Sequence, residues 1–362
     1  MTLEELRKRL SEVDRDLIGL VAARQKIVAE IGTHKIQNAV PTRDYERERE
    51  VLKGAHDRAA ALGLEPEVAG EIMHVLIRAS LTHQERSRVA AQTSGAGKRV
   101  LIIGGAGKMG AWFAQFLSSQ GFAVQVSDPN PATVPFARIA DWRETELDHD
   151  VIVVATPMKV TGQVLTELAL RRPRGLIVDI GSLKSPLRGG LEQLVEAGCK
   201  VTSIHPMFGP DTRLLSGRHV VFCDVGVPDA TREARGLFAS TMAEQIEMSL
   251  EDHDRLMAYV LGLSHALNLA FFTALAESGE LVPRLQKMSS TTFDAQLRVA
   301  TLVAKDNPHL YFDIQALNDF GQSSLHALRA AVERIQVLVE SRDEAGFVDL
   351  MAAGRRYLES RA

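Results

Sequence analysis

The chain has only two cysteines, Cys199 and Cys223, too few for a disulfide framework or a cysteine-ligated zinc site. It also lacks a basic excess: 42 lysines and arginines face 46 acids, a formal net charge of −4. General nucleic-acid binding needs a cationic surface and is excluded on that ground. No run approaches the roughly 18 apolar residues of a membrane span. The opening Met-Thr-Leu-Glu-Glu-Leu-Arg holds no apolar secretory core, so a cytoplasmic protein is expected. Neither an internal repeat nor a low-complexity tract occurs. What is present is an ordinary globular composition, 45% hydrophobic and 24% charged over 362 residues. At roughly 100–200 residues per domain, that length predicts two or three domains.

Residues 1–91 have a helical pattern. Apolar residues step by threes and fours through Leu3, Leu6, Leu10, Val13, Leu17, Leu20, Ile27 and Ile31, one seam on a helix of about 30 residues that Pro41 ends. A second helix is predicted from about Asp44 to Leu62, and Gly63 with Pro66 separates it from a third, about Glu67 to Val89. Two shorter helices cannot bury so long a seam, so a homodimer with paired helices is expected. Residues 92–98, Gln-Thr-Ser-Gly-Ala-Gly-Lys, read as a flexible linker. In residues 99–228 the period changes: short β-rich runs at Arg99–Ile103, Ala123–Ser127, Val151–Ala155 and Leu176–Asp179 alternate with helical stretches. That alternation predicts an α/β, Rossmann-type parallel sheet wound on both faces. From Asp229 to residue 362 the pattern is helical again, giving a third, all-α domain.

The long seam is interrupted by cations. Arg24 takes the step after Leu20, and Lys35 lies eleven residues further, about three turns, on nearly the same face. A buried arginine costs several kcal/mol unless an anion meets it. The second helix carries Asp44, Arg47 and Glu48 on a face continuing into Val51, Leu52 and Ala55, and the third carries Ser80 and Gln84 at i, i+4. Arg7 is about a quarter-turn off the Arg24 face and, in a paired dimer, would serve the partner's site. A lone arginine in a seam is ordinarily a register-setting or snorkelling residue. Several cations, two acids, a hydroxyl and an amide together, without metal-ligand spacing, suit a small hydroxylated dianion instead.

These residues resemble the all-helical chorismate mutases, specifically the domain that begins bifunctional mutase–dehydrogenase and mutase–dehydratase proteins. The resemblance spans residues 3–88 and rests on Leu6-Arg7, Ala23-Arg24, Val28-Ala-Glu-Ile-Gly-Thr-His-Lys35, Pro41-Thr-Arg-Asp-Tyr-Glu-Arg-Glu48, and Ser80 with Gln84. It implies that Arg24, Arg47 and the other subunit's Arg7 hold the two carboxylates of chorismate, with Ser80 assisting. Asp44 and Glu48 would take the ring hydroxyl, and Lys35 and Gln84 would donate to the ether oxygen. That reaction is pericyclic, with no proton transfer and no nucleophile. Catalysis must therefore come from holding a compact conformer and stabilising charge on the departing oxygen.

A second constellation begins at Ile103-Gly-Gly-Ala-Gly-Lys-Met-Gly110, after a predicted strand and opening a helix. Gly105, Gly107 and Gly110 form the G-x-G-x-x-G pattern, and Asp128 ends the next strand 23 residues beyond Gly105. A dinucleotide would lie over Gly105, Ala106, Gly107, Lys108, Met109 and Gly110, its diphosphate on the helix N-terminus. Asp128 would bond the adenosine ribose and repel a 2′-phosphate, and Pro129 and Asn130 add no base, so NAD is expected over NADP. Further on come Ser182, within Asp179-Ile-Gly-Ser-Leu-Lys184, then His205-Pro-Met-Phe-Gly-Pro210 and Leu263-Ser-His265. The apolar run Val201–Ile204 aims His205 at the carboxyl edge of the sheet, where ligands bind. The separations of His205, His253 and His265, 48 and 12 residues, match no common metal pattern, and no metal is expected.

These motifs resemble prephenate dehydrogenase, closely from about Arg99 to Ala276. With the mutase in front, the chain is similar to the bifunctional chorismate mutase–prephenate dehydrogenases of tyrosine biosynthesis. The resemblance implies that His205 is the general base on the 4-hydroxyl of prephenate, that Ser182 positions it, and that His265 contacts the substrate. One departure stands out. The family places an arginine for the substrate carboxylate six residues before the proline of an Asp-Pro pair; counted from Pro308, that slot is Leu302, or Thr301 with a shift of one. The nearest arginine is Arg298, four residues from Leu302 and on the same helical face, and it is expected to take the role. Asn318-Asp-Phe-Gly321 departs as well. Two other readings stand beside the bifunctional enzyme: the same folds acting on 4-amino analogues, and an active mutase followed by a degenerate regulatory module.

Overall fold

The structure, a computed structural model, describes residues 1–130 and 134–360. It comprises two compact units. The first is Met1–Thr156, Gln163–Gly181 and Gly190–Met248; the second is Pro157–Gly162, Ser182–Gly189 and Ser249–Ala362.

The first unit opens with three helices, α1 (Leu3–Gln37), α2 (Tyr45–Ala61) and α3 (Pro66–Ala91). Thr2 starts α1 through a capping box with Glu5, Asp44 caps α2 by accepting from the Arg47 amide, and Pro66 occupies the first turn of α3. α3 packs on α1 and α2 packs on α3, so α1 buries only Val28 and Gly32. Leu3, Leu6, Leu10, Val13, Leu17 and Leu20 remain 45–69% exposed, so one chain leaves most of the seam uncovered.

Next come β1 (Arg99–Ile103), α4 (Lys108–Ser119), β2 (Ala123–Ser127), β3 (Ala137–Ile139), β4 (Val151–Val154), α5 (Met158–Arg171) and β5 (Leu176–Asp179). They are followed by α6 (Arg188–Glu196), β6 (Val201–Pro206), β7 (His219–Cys223), α7 (Pro228–Gly236) and β8 (Glu244–Met248). The strands form one sheet in the order β3-β2-β1-β4-β5-β6-β7-β8, parallel except at the β6–β7 pair. Its central strands are apolar throughout because both faces are covered, as the near-zero exposure of Val100–Ile102 and Val151–Val154 shows. The strand order reverses at β1, which pairs with β2 on one side and β4 on the other, and this opens a crevice at the carboxyl ends.

Two expectations need correction. The pattern after Asp229 is not helical throughout: Glu244-Gln-Ile-Glu-Met248 is an edge strand with a half-solvated face, and its charged alternation carries too weak a β signal to stand out. The segment 92–98 is not a loose tether. The Gly95 amide donates to the Gln120 carbonyl at 3.1 Å, and a Cβ at Gly95 would fall 2.2 Å from the Phe122 ring.

The second unit is helical. α8 (Leu250–Met257), a π-helical stretch Ala258–Leu263 and α9 (Ser264–Glu277) run on as one rod. Then come α10 (Val282–Lys287), α11 (Thr291–Lys305), α12 (Pro308–Ala316), α13 (Gly321–Glu340) and α14 (Glu344–Glu359). The rod Leu250–Glu277 is long and apolar enough to cross a membrane, which the run count did not anticipate. It carries buried Asn268, however, whose amide donates to the Ser264 carbonyl and accepts from Gln296 of α11.

Candidate active sites

In the helical domain, α1 and α3 bring Arg24 and Ser80 together. The half-buried Arg24 guanidinium donates to Ser80 Oγ at 2.6 Å and to the Leu76 carbonyl at 3.1 Å. Gln84, one turn beyond Ser80, is buried with its Oε1 unpaired, and a Cβ at Gly32 would sit 3.2 Å from Gln84 Cγ. An unpaired buried amide oxygen costs stability unless something else binds there. Lys35, at the end of α1, donates to the Thr42 carbonyl at 2.7 Å. Glu48 on α2 accepts both arms of the Arg43 fork, at 2.9 and 3.0 Å. Among the described residues, no hydrogen bond joins the other predicted residues to Arg24, Ser80 or Gln84. Asp44 caps α2 through one carboxylate oxygen, Arg47 pairs with Glu50 at 2.8 Å on an exposed face, and Arg7 is exposed on the uncovered half of α1.

In the sheet domain, the turn from β1 to α4 is shaped for a close approach. Gly104 has φ +85°, and a Cβ there would lie 2.7 Å from the Ala155 carbonyl oxygen. A Cβ at Gly110 would lie 2.3 Å from the Gly104 oxygen, so only glycine lets α4 start so near β1. Gly107 caps α4 without a side-chain hydrogen bond, so the open first turn fits a diphosphate. Ala106, Lys108 and Met109 line that turn with Gly105. At the tip of β2, Asp128 accepts from the Ala106 amide at 3.0 Å and the Asn130 amide at 2.8 Å. Sequence reading missed Arg138 on β3, which donates to the Asp128 carbonyl at 2.9 Å and the Asn130 carbonyl at 3.1 Å. His205 lies at the carboxyl end of β6, 5% exposed, opposite Val221 of β7.

Ser182 and His265 belong to the second unit. His265, just past the π-helical stretch, stacks on Tyr311 of α12 with ring centres 4.0 Å apart. Burial pushes its imidazole below the ordinary range, against a weaker upward pull from Asp306, so it stays neutral more readily than a free histidine. Its Nδ1 is buried and unpaired. A cluster the sequence did not announce surrounds Asp254 of α8. Its carboxylate accepts from the Lys184 amide at 2.8 Å, from Ser185, and from His253 Nδ1 at 2.7 Å. Burial alone would raise that carboxyl, but the hydrogen bonds hold it below its usual value. The cluster fixes the chain that follows Ser182. Arg298 of α11, exposed, lines a cavity of about 760 Å³ together with Asp294, Thr301 and Leu302.

Comparison with known proteins places these features. The family described as "Chorismate mutase type II" matches residues 6–85. The nucleotide-binding domain of prephenate dehydrogenase matches 113–243, and its dimerization domain matches 249–353. A T-protein from Enterobacter agglomerans is 28% identical over 353 residues, covering 96% of this chain and 90% of that protein. A 4-amino-4-deoxyprephenate dehydrogenase from Streptomyces pristinaespiralis is 30% identical over 280 residues, covering 72% of this chain and 91% of that protein. The fold is shared with the crystal structure of prephenate dehydrogenase from Aquifex aeolicus in complex with hydroxyphenyl propionate and NAD+, at TM-score 0.56 and 20% identity over 73% of this chain and 98% of that one.

Proposed function

Because the chain belongs to the family of bifunctional chorismate mutases and prephenate dehydrogenases, we propose that it converts chorismate to prephenate in α1–α3 and oxidises prephenate to 4-hydroxyphenylpyruvate in the remainder. The observation that carries the mutase reading is the approach of Arg24 on α1 to Ser80 on α3, 2.6 Å, one turn before Gln84, whose buried amide oxygen has no partner. A cation on a half-buried stripe is there because an anion arrives. Arg24 and Ser80 hold a carboxylate, Arg47 and the partner's Arg7 serve the other, and Asp44 and Glu48 take the ring hydroxyl. Lys35 leaves its resting bond to the Thr42 carbonyl and joins Gln84 at the ether oxygen. That contact strengthens as the carbon–oxygen bond breaks, so it acts on the transition state more than on the ground state.

In the dehydrogenase half, the turn from Gly105 to Gly110 and Asp128 would hold NAD, which supplies the hydride acceptor. His205, with a neutral ring, takes the proton of the 4-hydroxyl, Ser182 orients it, and His265 contacts the substrate. Loss of the ring carboxylate as carbon dioxide yields an aromatic ring, which makes the step downhill. The uncovered α1 seam and the match to a dimerization domain support a homodimer. For function, the chain divides into residues 1–91, 99–248 and 249–362, β8 moving the last boundary from the expected 229.

A second reading keeps the folds and replaces the 4-hydroxyl by an amine, favoured by the relative from Streptomyces pristinaespiralis. One assay decides between them. Purified protein given chorismate and NAD+ should form NADH and 4-hydroxyphenylpyruvate. Turnover only with the 4-amino substrates would support the second reading, and prephenate accumulation without NADH would leave a mutase alone.

A further inference from the structure

Among the described residues, the helical domain and the sheet domain are joined within the first unit by hydrogen bonds at two points, which involve the neighbouring residues Leu215 and Ser216 of the loop between β6 and β7. At the first, Glu85 of α3, 3% exposed, accepts from the Leu215 amide at 2.7 Å and the Met242 amide at 2.6 Å. At the second, Arg43 Nη1 donates to Ser216 Oγ at 2.7 Å. The other two nitrogens of the same guanidinium grip both oxygens of Glu48, and the cation lies 4.3 Å above the Tyr45 ring. Arg43 is thus clamped on three sides. Glu48 cannot rotate without breaking two charge-assisted bonds, which are roughly twice as strong as neutral ones.

We propose that Ser216, from the nucleotide-binding domain, is a positioning residue of the mutase: it fixes Arg43, which fixes the Glu48 carboxylate for the ring hydroxyl of chorismate. Glu85 holds the preceding residue by its backbone, so the Ser216 hydroxyl is presented at a set place relative to α3, the helix that carries Ser80 and Gln84. The mutase site is therefore completed by a residue 125 positions outside its own three helices, counting from Ala91. A carboxylate held a few tenths of an ångström off its hydroxyl partner loses orientation rather than charge, and that appears as lost turnover.

The inference rests on the mutase reading, and the test separates the two. Chorismate consumption is measured in the full-length protein with wild type, Ser216→Ala, Ser216→Thr, Glu48→Gln and the Ser216→Ala/Glu48→Gln double variant. Ser216→Ala should lower mutase kcat/KM about fivefold, the size of one hydrogen bond. Ser216→Thr, which keeps the hydroxyl, should restore most of it. NADH formation from added prephenate should be unchanged in Ser216→Ala. In the Glu48→Gln background, Ser216→Ala should add nothing, because the group it acts through is already disabled. A silent Ser216→Ala beside a crippled Glu48→Gln overturns this inference alone, as does a fivefold loss that persists in the double variant. A Glu48→Gln protein with wild-type turnover overturns the reading of the site itself.

Discussion

The guanidinium of Arg138 hydrogen-bonds the main-chain oxygen of Asp128 at 2.9 Å, so a cation lies beside the carboxylate that ends β2. The two are opposed in what they ask of a dinucleotide. Asp128 accepts from a ribose hydroxyl and repels a 2′-phosphate, whereas Arg138 would welcome one. With the carboxylate in place NAD is preferred. Removing it by Asp128→Ser exposes an arginine that already sits at the right end of the crevice. The preference in kcat/KM for NAD over NADP should fall at least tenfold, about 1.4 kcal/mol, and Asp128→Ser/Arg138→Ala should lose the gained NADP use. A wild type that already favours NADP would overturn the role given to Asp128.

Lys35 is the residue on which mutase turnover should depend most. Loss of one preorganised donor to developing charge typically costs ~10²–10³ in kcat. Lys35→Ala should show that loss with a much smaller change in KM for chorismate; near-normal kcat would sink the assignment. Arg7, exposed on the uncovered half of α1, is expected to act across a dimer. Mixing Arg7→Ala and Lys35→Ala subunits would then regenerate one intact site in a heterodimer, and activity should partly return. No recovery would place the site within one chain.

Burial holds His265 below the ordinary imidazole range. The sign follows from proton counting. Between the lowered folded value and the unfolded value near ~6.5, the unfolded chain binds a proton that the folded one refuses. Stability therefore rises with pH across that window and is lost as pH falls through it. Unfolding midpoints of wild type and His265→Gln, measured from about pH 5 to about pH 7.5, should converge at the acid end if His265 makes this contribution. A constant difference would assign the effect to lost packing on Tyr311.

The parts of this molecule written in nearby residues were legible. The α1 seam repeats every three or four positions, and the glycine turn with Asp128 lies within one strand–helix–strand unit. So did Arg24, Lys35, Ser80 and Gln84 stand out, because a polar residue on an apolar stripe is visible without a partner. What stayed hidden depends on contacts the chain makes only when folded. Arg43 lies inside the motif read as mutase, but its bond to Ser216 spans 173 residues. Glu85 reads as the next residue after Gln84, with nothing to mark it as the seat of two foreign amides. Arg138 reaches Asp128 from a short edge strand with no pattern of its own, and the Asp254 cluster joins α8 to residues about 70 positions earlier.

The remaining prediction concerns the carboxylate-binding arginine that Leu302 replaces. A doubly charged substrate needs a cation in a partly dry site, or it carries an unmet desolvation penalty of a few kcal/mol. Leu302 is 72% exposed and apolar, and the Thr301 hydroxyl is turned to the Leu297 carbonyl at 2.7 Å, so neither supplies the charge. Arg298 shares a cavity of about 760 Å³ with both, one helical turn earlier, and its long side chain starts from a shifted origin on the same face. Asp294, a further turn back on that cavity, tempers the positive charge, so prephenate should bind more weakly here than where an arginine fills the slot. Arg298→Gln should raise KM for prephenate at least tenfold, about 1.4 kcal/mol, and leave KM for NAD unchanged. Leu302→Arg should lower KM for prephenate in the Arg298→Gln background, because it returns a cation to the face that lost one. Unaltered prephenate kinetics in Arg298→Gln would remove this arginine from the site and leave the carboxylate to a residue elsewhere.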